Sequence, residues 1–171
     1  MRVIVYKSKH GSTRKIAKVI DAYIEDCLLM DLDELDYEVL KKADIIVCGA
    51  PIYYGKLNEE MVSFIKENQT LLKKKKYCLY VTGMLYSEFM SAVADSLDYS
   101  ILKEIKVIAG LGGVIYYPDL SLSERVGLNA FNKVNPVIPK NHDKTIYENF
   151  NNDEIYLFAH KIEKLDNKEE D

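Results

Sequence analysis

Apolar positions along this chain fall into short blocks of two kinds. Residues 3–6, 45–48 and 77–82 are apolar at nearly every position and too short for helices, which suits strands covered on both faces. Elsewhere apolar residues recur every three or four positions, as at Ile16, Ile20, Tyr23 and Ile24, which predicts amphipathic helices. On this reading Arg2–Tyr6 is the first strand, 13–26 a helix, Cys27–Asp31 a short strand and 36–42 a brief helix. The third strand is 45–48, followed by a helix over 56–68, a fourth strand over 77–82 and a helix over 87–97. The fifth strand is 105–109, continued or followed by a second extended piece at 113–117. Ile155, Phe158, Ala159, Ile162 and Leu165 keep helical spacing, so the chain closes on an amphipathic helix with a charged, frayed end.

Strands alternating with helices predict an α/β fold with a parallel sheet covered on both faces. In one such order, 2-1-3-4-5, a ligand sits at the switch point between the first and third strands, outside their C-terminal ends. The loops after strands one, three and four therefore carry the candidate chemistry.

The first loop holds Ser8, Lys9, His10, Gly11, Ser12 and Thr13 between a strand and a helix. That order aims backbone N–H groups and the positive end of a helix dipole at one point, where a phosphate is well held. The loop lacks the G-x-x-x-x-G-K-[ST] of nucleotide triphosphatases and the G-x-G-x-x-G of dinucleotide folds. Ser8, six positions before Arg14, stands where a phosphatase loop needs a thiolate. Hydroxyls at Ser8, Ser12 and Thr13 suit holding a phosphomonoester that is not transferred; the plain alternative is a capped helix start.

The third strand leads into Gly49, Ala50, Pro51, Ile52, Tyr53, Tyr54 and Gly55, where two aromatics and a glycine can lay a ring against a flat ligand. After the fourth strand come Thr82, Gly83, Met84, Leu85 and Tyr86, with Ser87 as a candidate N-cap if this is only a turn. A phosphorylated response-regulator site is excluded, because Lys7-Ser8 and Cys48-Gly49 stand where its acidic residues belong.

These motifs resemble those of flavodoxin-like FMN-binding proteins. S-K-H-G-S-T is similar to their FMN-phosphate loop, [ST]-x-x-G-x-[ST], and G-A-P-I-Y-Y-G resembles the G-[AS]-P-x-Y-x-G beside the isoalloxazine. The resemblance implies a three-layer flavodoxin-like fold. It places phosphate at residues 8–13 and the ring at 50–55 and 82–86, with Thr82 and Gly83 hydrogen-bonding its pyrimidine edge and Tyr86 stacking or covering. The stretch from Gly113 through Arg125 to His142-Asp143-Lys144-Thr145 resembles the protoporphyrinogen oxidase-like branch, which inserts a helical segment here, at about 118–150 in this chain. Unlike many members of that branch, the chain has no tryptophan. Three functions follow as expectations. One is an FMN oxidoreductase acting on a reduced organic substrate such as protoporphyrinogen, with a quinone as acceptor. Another is an electron carrier between redox partner proteins. The third is an interaction module with an altered site. None requires a side chain as acid, base or nucleophile.

Composition narrows the setting. The 171 residues suit one domain, and 48% hydrophobic with 29% charged residues is ordinary for a globular chain. No run reaches the roughly 18 apolar residues of a transmembrane segment, nor is there a signal-peptide pattern, so a cytoplasmic protein is expected. A net charge of −4 gives no reason to expect nucleic acid, and the lysines at 73–76 read as a solvated turn. Cys27, Cys48 and Cys78 are widely spaced and His10, His142 and His160 form no ligand cluster, so no metal is expected. Thirteen tyrosines with no tryptophan favour half-exposed aromatic contacts.

Overall fold

The computed structural model describes residues 1–84, 88–139 and 145–166. Its strands are β1 (Arg2–Tyr6), β2 (Cys27–Asp31), β3 (Ile45–Tyr53), a two-residue β4 (Lys56–Leu57), β5 (Lys76–Thr82) and β6 (Ile105–Gly110). Five of them form a parallel sheet in the order β2-β1-β3-β5-β6, while β4 pairs only with β3. With β4 set aside as a hairpin arm, this is the expected 2-1-3-4-5 order.

Side chains alternate between the two faces with the period of a strand. Val3, Val5, Ile46, Cys48, Tyr77, Leu79 and Val81 point into one core, which α2 (Tyr37–Lys42), α3 (Glu59–Glu67), α4 (Gln69–Leu72), α5 (Phe89–Ser96) and α6 (Tyr99–Leu102) help to enclose. Ile4, Tyr6, Ile45, Val47, Cys78 and Tyr80 point into the other, covered by α1 (Ser12–Asp21) and α8 (Asn152–Asp166). Ile155, Phe158, Ala159 and Ile162 are buried on α8, as their spacing predicted. No helix among the described residues is long and apolar enough to cross a membrane.

Several boundaries differ from the sequence expectation, for local reasons. The first helix ends at Asp21 rather than 26, because the chain must turn into β2 through Asp26 (φ 48), whose carbonyl accepts from Arg2 N–H at 2.8 Å. The helix expected over 56–68 begins as β4, and Asn58 then caps α3 by accepting from Met61 N–H at 2.9 Å. The extended piece near 113–117 leaves the main sheet as β7 (Gly112–Tyr116), paired antiparallel with β8 (Ile146–Phe150). The segment expected as a helical insert over 118–150 is therefore helical in α7 (Leu122–Val134) and ends in a strand. Gly112, at φ +81, makes the bend; a side chain there would meet the Asn149 carbonyl at 2.0 Å. The expected cap Ser87 lies outside the described residues, as do residues 142–144.

One contact ties the sheet to the first loop. Tyr80 is fully buried, and its hydroxyl donates to the Thr13 carbonyl at 3.0 Å. Its ring occupies the space beside Gly49, where a Cβ would lie 2.2 Å from ring atoms. Tyr80→Phe should therefore cost about 0.5–1.5 kcal/mol, because the Thr13 carbonyl loses this bond and keeps only its helical one. Gly49→Ala should cost at least as much, because the added methyl displaces the ring and breaks the same bond. Urea unfolding midpoints at unchanged m-value would check both.

Candidate functional site

The first loop leaves β1 with Lys7 N–H bonded to the Gly49 carbonyl at 3.0 Å, and Lys7 Nζ turned aside to Asp33 at 2.6 Å and Glu60 at 2.5 Å. Gly11, at φ +85, is the N-cap of α1 and has no side chain to satisfy the helix start. Among the described residues, none accepts a hydrogen bond from the main-chain N–H of His10, Gly11, Ser12 or Thr13. Four successive donors at a helix N-terminus make an anion cradle. The hydroxyls have more structural roles than their spacing suggests. Ser8 Oγ accepts from Arg14 N–H at 3.4 Å, Ser12 Oγ from Val114 N–H at 3.1 Å, and buried Thr13 Oγ1 lies 2.9 Å from Thr82 Oγ1. Ser12 can still donate outward.

The second loop is shorter than expected. β3 continues through Gly49, Ala50 and Pro51, still paired with β5, and on to Tyr53. Only Tyr54 (φ 52) and Gly55 (φ 77) form the turn to β4. Positive φ at both central residues is the geometry of a two-residue hairpin, and at Tyr54 it is strained. The Tyr53 ring meets His10 edge-on, with centroids 6.3 Å apart, and burial pushes its phenol up to about 12.

The third loop is braced from β7 and β8. Gly83 N–H donates to the Gly112 carbonyl at 3.0 Å, and Asn149 Nδ2 donates to the Met84 carbonyl at 3.1 Å. A Cβ on Gly113 would lie 3.0 Å from the Gly83 backbone, so the two chains run in direct contact. The N–H of Gly83 is thus already engaged and is not free for a ligand edge. Tyr86 lies outside the described residues.

A cavity of about 650 Å³ joins the three loops, within the usual range for small-molecule sites. Lys9, His10 and Ser12 line it from the first loop, Pro51, Ile52, Tyr53, Tyr54 and Gly55 from the hairpin, and Thr82, Gly83 and Met84 from the third. Ser8, Gly11, Thr13 and Ala50 do not line it. Thr13 and Ala50 are buried behind it, and Ser8 and Gly11 shape the first loop.

A fourth wall comes from α7, within the segment expected as a helical insert; its contacts with the first loop were not expected. Its Glu124 carboxylate receives Lys9 Nζ at 2.6 Å, lies 3.0 Å from His10 Nε2, and accepts from Ser121 N–H at 2.8 Å. The Lys9 ammonium, then the Ser121 N–H, hold this carboxyl well below the usual carboxylate range. Gly127 packs against Tyr54, with a Cβ position 2.8 Å from the phenol oxygen. The Ser121–Glu124 capping box is legible as S-x-x-E. The partnership of Glu124 with Lys9, 115 positions away, has no local signal.

Fold and site together define a mononucleotide-binding α/β protein. Four helix-start donors suit a phosphomonoester, and the aromatic hairpin suits a flat ring. The chain belongs to the Flavodoxin domain family, whose model (Flavodoxin_5) matches residues 3–136, and this family binds FMN. A flavodoxin of Clostridium saccharobutylicum is 27% identical over 120 residues, covering 66% of this chain and 70% of that protein. Flavodoxin 1 of Bacillus cereus superposes with a TM-score of 0.56 at 16% identity, over 95% of this chain and 97% of that one. The rubredoxin oxygen:oxidoreductase of Desulfovibrio gigas gives 0.58 at 14% identity over 96% of this chain, which spans only 35% of that protein. These two structural likenesses show the shared fold.

Glu124→Gln keeps the side-chain shape and removes the charge that holds α7 to the first loop. A depressed carboxyl contributes stability above its unfolded value of about 4.3, and loses it as pH falls through the lower folded value. The melting temperature of the variant should lie below wild type at neutral pH, with the gap closing only below about pH 4. Thermal melts of both proteins across that range check this.

Proposed function

We propose that this chain holds FMN at the three-loop cavity and works as a flavodoxin-type electron carrier between protein partners. The observation that carries the proposal is the row of four N–H donors at the start of α1, beside a cavity lined by Tyr53 and Tyr54. In this reading residues 8–13 hold the phosphate, and residues 50–55 with 82–86 hold the ring. When bound, FMN supplies reversible transfer of one or two electrons.

The chain's own residues bind, orient and shield. Tyr80 and Thr82 fix the start of α1, and the β7–β8 pair holds Gly83 and Met84 in place. The Lys9 ammonium and the Ser121 N–H favour the ionised form of the Glu124 carboxyl, which keeps α7 tied to the first loop. The net charge of −4 favours docking on basic surfaces of partner proteins. The relatives named above as flavodoxins support the carrier better than oxidation of protoporphyrinogen, the reading that the sequence alone put first.

Purified protein incubated with FMN and desalted should keep flavin absorption bands with quenched fluorescence. It should then pass electrons steadily only when both a reductase and an acceptor protein are supplied. A colourless protein after FMN incubation contradicts the cofactor assignment; unaided steady oxidation of protoporphyrinogen contradicts the carrier role.

A further inference from the structure

The cavity does not end at the three loops. It continues between α5 and α7, with Ser91, Ala92 and Asp95 on one side and Leu128, Phe131 and Val137 on the other. At 1.5 Å per residue, Glu88 to Asp95 spans about 10 Å of one wall and Glu124 to Phe131 about 10 Å of the other. None of these residues belongs to a segment assigned to FMN.

Hydrogen bonds within the chain hold the walls of this compartment. Asn132 Oδ1 accepts from the N–H groups of Val137 at 2.7 Å and Ile138 at 2.9 Å, while its Nδ2 donates to the Ile138 carbonyl at 3.0 Å. The chain after α7 is thereby folded back, and Val137 becomes a wall. At the other end Glu124 ties α7 to the first loop.

Among the described residues, charge within the cavity is one-sided. Its described basic lining residues are Lys9 and His10, and both face the Glu124 carboxylate. Glu88 and Asp95 also line it, and no cation pairs with either among the described residues. A bound FMN phosphate adds further negative charge.

We propose that the space between α5 and α7 is a second ligand site, beside the flavin, for a flat aromatic cation. Leu128, Phe131 and Ala92 cover its faces, and Asp95 with Glu88 takes its charge. The inference rests on the FMN reading. It deepens that reading by naming what lies beside the cofactor, and the acidic wall disfavours an anionic partner such as a porphyrinogen carrying two carboxylates.

The test uses FMN-loaded protein and two bicyclic probes of similar size and opposite charge, N-methylquinolinium and 2-naphthoate, measured by equilibrium dialysis. The cation should bind at least tenfold more tightly. Asp95→Asn should shrink that preference to about threefold or less, and Phe131→Ala should weaken the cation about tenfold while FMN stays bound. Equal affinity for the two probes, no binding of either, or indifference to both substitutions overturns the second site while leaving the FMN assignment standing. Loss of FMN from wild-type protein in the same dialysis overturns the FMN reading itself, and the second site with it.

Discussion

The structure depends on the buried junction at which α1 meets β5. Tyr80 donates to the Thr13 carbonyl and Thr82 shares a hydroxyl hydrogen bond with Thr13, both in surroundings closed to water. Hydrogen bonds in such surroundings are electrostatically strong, and unmade ones are expensive. The junction fixes the direction of α1, so the unpartnered N–H groups at its start face a set point. Gly49 is part of the same arrangement, since only a residue without Cβ leaves room for the Tyr80 ring.

Around that point the protein separates two electrostatic tasks. Main-chain dipoles supply attraction for an anion without carrying a net charge. Meanwhile the basic side chains of the first loop face a carboxylate from α7. The loop's basic side chains thus serve to hold a cover in place, and α7 gains a fixed position although none of its residues is fully buried.

How much of this was legible in the sequence follows from how local each interaction is. The strands of the parallel sheet announce themselves because burial on both faces leaves no polar position in the run at 45–48 and only Thr82, at its end, as an aliphatic hydroxyl in the run at 77–82. The loop around Gly11 and the 49–55 stretch are contiguous motifs visible in the sequence, although only Tyr54 and Gly55 of the second form a turn. The hairpin arm β4 was not, since two residues carry no periodicity and the turn is Tyr-Gly rather than Asn-Gly. The engagement of Gly83 N–H by Gly112, and of Lys9 by Glu124, was also hidden, because each joins distant stretches whose own patterns are unremarkable.

That distance has a consequence for how the protein comes into being. The first loop is complete within the opening 13 residues, yet the groups that shape it follow much later. Tyr80 and Thr82 lie 67 and 69 positions from their Thr13 partner, Val114 lies 102 from Ser12, and Glu124 lies 115 from Lys9. Closing such long loops is entropically slow, so these contacts belong to the late part of folding. During synthesis from the N-terminus, an emerging chain carries residues 8–13 long before it can organise them. The loop therefore takes its final shape only after β5, β7 and α7 have been made.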